Sequence, residues 1–366
     1  MWREWREPLA ILIAGLALCF LLDAAVFRTR FYTRILDPHT STGSLEFALS
    51  SEASREYWAR PVLVLGNSII VQGFSARLAN WSQQAPGYQF SSLAVPATWE
   101  RCWYYLLRDL DPDRTRYNVI VVPVESYDDR DLHEEDLADH IIDARFLGVR
   151  LKLFDVPEFA ASFRSFDQRL EAARLTLFKG LVYRNDMESF LAHPKERIAE
   201  VKSWRKSGDW GPYMYEGIDR SLAGLSADWD KGTIAFPSWL SANDRQIIQD
   251  GLLEPVPPQR GYLGEYRRRW LGRIVARYRG TSTRILIVRP PFNALPRRYP
   301  PPDTGRSVVR DLASQPGVFL LPEHAFDEFE RPELFADLHH LNATGLVKFS
   351  TKFAGLFAQV AKEDAR

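Results

Sequence analysis

Apolar and polar positions along the chain fall into three regimes. Leu9 to Phe27 is a continuous apolar run, LAILIAGLALCFLLDAAVF, with one charge, Asp23, close to its far end. About 19 residues suffice to cross the hydrocarbon core of a bilayer as a helix; a buried core helix is the structural alternative, which a terminal segment this uniform, without a polar face, suits less well. Residues 28–60 are largely polar and read as a linker. Beyond them short β-rich runs alternate with helical patterns. The runs are Pro61 to Gly66, Gln89 to Val95, Tyr117 to Val124, Arg284 to Arg289 and Gly317 to Leu321. Continuous branched apolar runs suit strands covered on both faces. With helix-length segments such as Trp99 to Leu110 between them and Ala343 to Ala361 at the end, they predict an α/β fold built on a doubly wound, five-stranded parallel sheet.

The alternation breaks once. For about 160 residues between Val124 and Arg284 no core strand is legible, and helical patterns such as EFAASFRSFDQRLEAARLTLF are interrupted by GDWGPY and PVPPQRG. We read residues 125–283 as a large helical insertion, a lid or partner surface carried by the sheet. The organisation expected is a short tail 1–8, a transmembrane helix 9–27, a linker 28–60 and an α/β domain 61–366 that contains the insertion.

Trp2 and Trp5 before the apolar run, and Phe31 and Tyr32 after it, suit aromatic anchors at two membrane interfaces. Arg3 and Arg6 on one side face Arg28, Arg30 and Arg34 on the other, so the positive-inside rule leaves orientation open. A cleaved signal peptide would need a small-x-small site, which AVFRTR lacks, and Leu18 before Cys19 does not fit lipoprotein processing. The 47 basic residues balance the 47 acidic ones, which removes any overall field for nucleic acid or an anionic bilayer. Of two cysteines, Cys19 lies in the apolar run, so a disulfide to Cys102 is not expected.

Two short blocks carry candidate chemistry. At the end of the first strand, VLVLGNSIIVQGFS places Ser68 at a strand-to-helix turn, a position where several hydrolase folds expose a nucleophile. Capping of the following helix is the structural alternative. Near the C-terminus, LFADLHHLNATG sets Asp337 three residues before His340. A serine nucleophile needs a base, and the base needs an acid that fixes its tautomer; Ser68, His340 and Asp337 supply the three types in the right order. His339 is a neighbour directed elsewhere, and an adjacent histidine pair with no third ligand does not make a zinc site.

The GNS block after the first strand together with D-x-x-H-L-N before the last helix resembles the SGNH, or GDSL-like, hydrolase superfamily. More narrowly it resembles membrane-anchored members that O-acylate cell-envelope polymers, such as DltD-like and alginate-acetylation-type proteins. The likeness covers about Pro61 to Leu93, Tyr117 to Val124 and Arg284 onward, and leaves the insertion outside it. It implies a three-layer fold with Ser68 as nucleophile, His340 as base and Asp337 as its orienting acid. It also implies an oxyanion hole from the backbone N–H of Ser68 and of a residue after the second strand, assigned to Ala94. The asparagine that such proteins carry after the third strand is missing, and VPVESYDD puts Glu125 there. A carboxylate beside a developing oxyanion opposes catalysis, so either Asn67 contributes the donor, or the hole is weaker, or activity is lost.

Other motifs are weaker. LHEEDLADH lacks the second histidine of a zinc protease, because Leu137 stands four residues after His133. In YRRRWLGRIVARYRG, Arg269, Arg273 and Arg277 share one helical face while Tyr266, Trp270 and Ile274 share another, which fits an amphipathic helix or an anion-binding surface. Arg289 closes the fourth strand where a doubly wound sheet places its site, and is a candidate for holding an acidic substrate. The expectation is a single-pass protein of the inner (plasma) membrane, with its main domain extracytoplasmic or periplasmic. It would act as a serine esterase or O-acyltransferase on an envelope polysaccharide. It would use no metal or organic cofactor, bind a carbohydrate polymer and an acyl donor, and work with a membrane-bound acyl-transferring partner. The alternative is a weak or inactive domain serving as a glycan-binding or scaffold subunit.

Overall fold

The computed structural model describes residues 6–132, 136–148, 150–207 and 217–363. Trp2, Arg3 and Trp5, the His133 block and the GDWGPY break therefore lie outside the described residues. The chain divides into two compact units, one of residues 1–50 with 138–210, the other of 51–137 with 211–366.

The larger unit is α/β. Its five-stranded sheet consists of β1 (Arg60–Gly66), β2 (Tyr88–Ala94), β3 (Val119–Pro123), β6 (Arg284–Val288) and β7 (Val318–Leu320), in the order β2-β1-β3-β6-β7, with every pair parallel. A two-stranded antiparallel ribbon, β4 (Ser226–Asp228) and β5 (Thr233–Ala235), stands apart from it inside the segment expected to be mostly helical. The strand order reverses between β1 and β3, the switch point at which an open parallel sheet leaves a crevice at its carboxyl edge.

Alternation across the strands explains why the runs are continuous. Val62, Val64, Val121 and Leu286 pack on one face with Phe349, Phe353 and Phe357 of the C-terminal helix Ala343–Glu363. Leu63, Leu65, Ile120 and Ile287 point to the other face and are equally buried. The helices Glu100–Leu110 and Tyr262–Tyr278 pair through Trp270, whose ring lies between 5.6 and 5.8 Å from Tyr104 and Tyr105. Tyr266, Trp270 and Ile274 are buried, and Arg273 lies over Trp270 and Tyr104.

The smaller unit is helical. The N-terminal helix Arg6–Phe27 leaves Glu7 to Cys19 exposed throughout, and Cys19 and Cys102 are free thiols. The polar linker expected over 28–60 is instead largely folded: helices Arg30–Thr33 and Ser41–Ala53 bury Tyr32, Leu36, Leu45 and Leu49. An ionic cluster ties these helices to the rest of the unit. Asp186 accepts from the Tyr32 hydroxyl at 2.7 Å and pairs with Arg197 at 2.7 Å, and Arg197 also reaches Asp37 at 2.9 Å. A buried ionic cluster with matched partners lets a polar sequence fold rather than remain a tether.

Candidate active site

β1 delivers Gly66, Asn67 and Ser68 at the switch point. Gly66 must lack a side chain, because a Cβ there would lie 2.3 Å from the Cβ of Ile70. Asn67, not Ser68, caps the short helix Ser68–Gly73, its side-chain oxygen accepting the Ile69 N–H at 3.0 Å. Ser68 is thus the first helical residue, half-buried, with a hydroxyl not needed for the cap and a backbone N–H that has no intrahelical acceptor.

The acid and base come from a loop closed by a bridge between Phe335 and Leu341, with Ala336 N–H bonded to the His340 carbonyl at 2.8 Å. Residues 336–340 form bends and not a helical turn. Asp337 organises the loop instead, its Oδ1 accepting the backbone N–H groups of His339 and His340, both at 2.9 Å. Asn342 then ties the loop to the last helix, donating to the Glu333 carbonyl and accepting the Gly345 N–H.

His340 Nε2 lies 2.9 Å from Ser68 Oγ, and its Nδ1 lies 2.9 and 3.0 Å from the two Asp337 oxygens. A carboxylate only accepts, so Nδ1 carries the hydrogen and Nε2 presents its lone pair to the serine hydroxyl. Burial pushes the Asp337 carboxyl up. The hydrogen bond and charge of His340, with the two backbone donors, outweigh it and hold the acid at about 2. The three residues can therefore perform proton abstraction from Ser68 with an ionised acid behind the base.

Beside Ser68 opens a cleft bordered by Asn67, Ile69, Trp99, Trp103, Tyr262 and Leu263. Glu125 and Pro290 border it too, the first residues beyond β3 and β6 to reach it being Val124 and Pro290. Two charged residues that sequence reading passed over shape its wall. Asp131 takes the N–H groups of Arg260, Gly261 and Leu263 at 2.6, 3.1 and 3.2 Å, capping a helix whose own N-cap, Gly261 at φ 75°, has no side chain to offer. Arg267, almost wholly buried, donates to the Asp128 carbonyl at 2.7 Å. No local pattern marks either residue, because their partners lie more than 120 positions away in the chain.

Two sequence assignments need correction. The Val95 N–H bonds the Gly66 carbonyl at 2.9 Å, and Ala94 is registered opposite Gly66. Successive peptides in a strand face opposite ways, so the Ala94 N–H points off the sheet edge, away from Ser68. Arg289 is committed elsewhere: its fork binds Glu330 at 2.7 Å and Asp327 at 3.1 Å, which leaves little of its charge for a substrate. His339 turns from the triad as expected, donating from Nδ1 to Asn293 Oδ1 at 3.1 Å, and burial pushes its imidazole down despite Asp337 and Glu125 nearby.

Comparison with known proteins adds no relative: no family model matches the chain, and no curated protein is significantly similar to it.

Proposed function

We propose that this chain is a membrane-anchored serine esterase or O-acyltransferase of the SGNH type, acting on a cell-envelope or extracellular polysaccharide through an acyl-enzyme on Ser68. The observation that carries the reading is the contact of His340 with Ser68 on one nitrogen and Asp337 on the other. Ser68 Oγ attacks the carbonyl carbon of an acyl donor as His340 Nε2 takes its proton. The tetrahedral adduct then expels the leaving group, which receives that proton, and acyl-Ser68 remains. A sugar hydroxyl or water next gives its proton to His340 and attacks the ester, and Ser68 leaves with the proton returned. The Ser68 N–H and the Asn67 side-chain amide would serve the oxyanion. In place of Ala94 the reading takes a peptide N–H of the turn at residues 96–98. There Thr98 Oγ1 holds the Gly66 carbonyl at 3.2 Å, and Ala97 keeps a left-handed φ of 56° that is costly for alanine.

The apolar helix Arg6–Phe27 supports a single span of the inner membrane over residues 9–27, with the α/β unit extracytoplasmic or periplasmic. In that setting a membrane-bound protein would supply the acyl group and a carbohydrate polymer would accept it. Glu125 on the cleft favours the second reading, a weakly active or inactive domain that binds glycan or scaffolds an acylation complex. A fluorophosphonate probe separates the two. The active reading expects covalent labelling of the wild-type chain that disappears in Ser68→Ala; an unlabelled wild-type chain that still binds glycan supports the scaffold.

A further inference from the structure

Outside the N-terminal helix, the smaller unit carries large apolar side chains in the open. Phe154 is 71% exposed, Phe166 75% and Leu170 59%. Two of them belong to the helix Phe166–Leu177, which has two apolar faces. Ala172, Leu175 and Thr176 form the buried one. Phe166, Leu170, Ala173 and Leu177 recur at spacings of four, three and four, which is one stripe of an α-helix, and none of them is buried.

The end of that stripe is fastened to the N-terminal helix. Phe20 meets Phe178 edge-on at 6.2 Å. The Asp23 carboxylate accepts the N–H groups of Lys179 and Gly180 at 3.0 and 2.6 Å, and Arg28 donates to the carbonyls of Thr176 and Leu177, both at 2.7 Å. At ~1.5 Å per residue the stretch from Leu9 to Phe20 is only ~17 Å long, against ~30 Å of hydrocarbon, so a span must run on to about Phe27. Residues 176–180 then share the depth of the last two turns of the span. This attachment also answers how Asp23 is tolerated there, since both its oxygens are satisfied by backbone donors.

We propose that the Phe166–Leu177 helix lies along the boundary between headgroups and acyl chains of the bilayer that the N-terminal helix enters, with Phe166, Leu170 and Leu177 in the lipid. The smaller unit is then a platform seated in the membrane surface rather than a tethered bundle. This inference rests on reading residues 9–27 as a span and goes beyond it. The occupant is lipid and not anionic lipid in particular. Over residues 152–174, Lys152, Arg164, Arg169 and Arg174 are matched by Asp155, Glu158, Asp167 and Glu171, so insertion is driven by apolar area and not by charge.

Spin labels on the full chain test it. Cys19→Ser removes the exposed thiol and Cys102 is buried, so single cysteines can be placed at Leu16, Leu170 and Lys195, the last an exposed position on the helix Pro194–Ser207. In phosphatidylcholine vesicles, collision with oxygen should dominate at residues 16 and 170, and collision with a water-soluble nickel chelate at 195. Phe166→Cys repeats the measurement on the same face if the Leu170 variant does not fold. Oxygen preference at 16 with nickel preference at both 166 and 170 overturns the platform and leaves the span standing. A label at 170 screened from both agents means a protein covers the stripe, and overturns it as well. Nickel preference at 16 removes the span, and the inference with it.

Discussion

With its carboxyl held at about 2 by His340 and two backbone N–H groups, Asp337 remains ionised across the range in which an ester assay is practical. Asp337 is therefore removed from the acid side of the rate profile. His340 must be neutral to take the Ser68 proton, so kcat/KM should climb with pH and level off. A slope of two that persists in His339→Gln would mean that Asp337 titrates together with the base and that the assigned acid is wrong. Ser68→Ala and His340→Ala should each lower kcat by ~10³-fold or more without unfolding, since both side chains are only partly buried. Asp337→Asn should do less damage than either, because an amide oxygen can still accept the loop N–H groups of His339 and His340. The triad was legible from the sequence because its residue types are distinctive and their order along the chain matches the ends of the first and last elements. The second oxyanion donor was not, because the side of the sheet on which the Ala94 peptide lies depends on its register with Gly66. Arg289 misled for a similar reason: the carboxylates that hold it, Asp327 and Glu330, stand about 40 residues further on.

The five strands of the parallel sheet could be located to within two residues at their starts because each is a short, largely buried run, while the ribbon β4–β5 was missed and the helices were recognisable mainly by length. The segment from residue 28 to 60 shows the opposite case. Its helix Ser41–Ala53 buries a stripe of Leu45, Ala48, Leu49 and Glu52, only two turns long and containing a charge, so the periodicity is too weak to stand out from a polar background. Long-range caps are equally hidden, and Asp131 shows their weight. It supplies the helix Tyr262–Tyr278 with three accepted N–H bonds, and that helix brings Tyr262 and Leu263 to the cleft. Asp131→Ala should cost about 1–3 kcal/mol in denaturant unfolding of the larger unit. It should also raise KM several-fold with a smaller change in kcat, because the wall of the cleft moves and the triad does not. Asp131→Asn, which keeps an acceptor oxygen, should recover part of both effects. An unchanged unfolding midpoint in Asp131→Ala would show that the helix start is held by its other contacts.

At the scale of the whole molecule, the N-terminal helix is built into the smaller unit and is not a detachable tether. Phe27 packs 4.9 Å from Tyr32 and 5.2 Å from Tyr183, and those two rings are 5.1 Å from each other, so the last turn of the apolar helix completes an aromatic core with Leu36. Asp23 and Arg28 add the four backbone hydrogen bonds to residues 176–180. Two truncations separate the exposed part of the helix from the structural part. A chain that begins at Asp23 loses the exposed run Glu7–Cys19 and the Phe20–Phe178 contact but keeps Asp23, Phe27 and Arg28, and should keep its fold while becoming easier to extract from membranes. A chain that begins at Arg30 also loses Asp23, Phe27 and Arg28. Removal of a buried phenylalanine alone costs about 3–5 kcal/mol, comparable with much of the stability of a small domain, and the Lys179 and Gly180 N–H groups would be left without their acceptor. That chain should be cut rapidly by a protease within residues 138–207 and should lose a thermal transition that the Asp23 chain retains. Equal protease resistance of the two truncations would show that the aromatic core holds without Phe27, and the N-terminal helix would then be a tether after all.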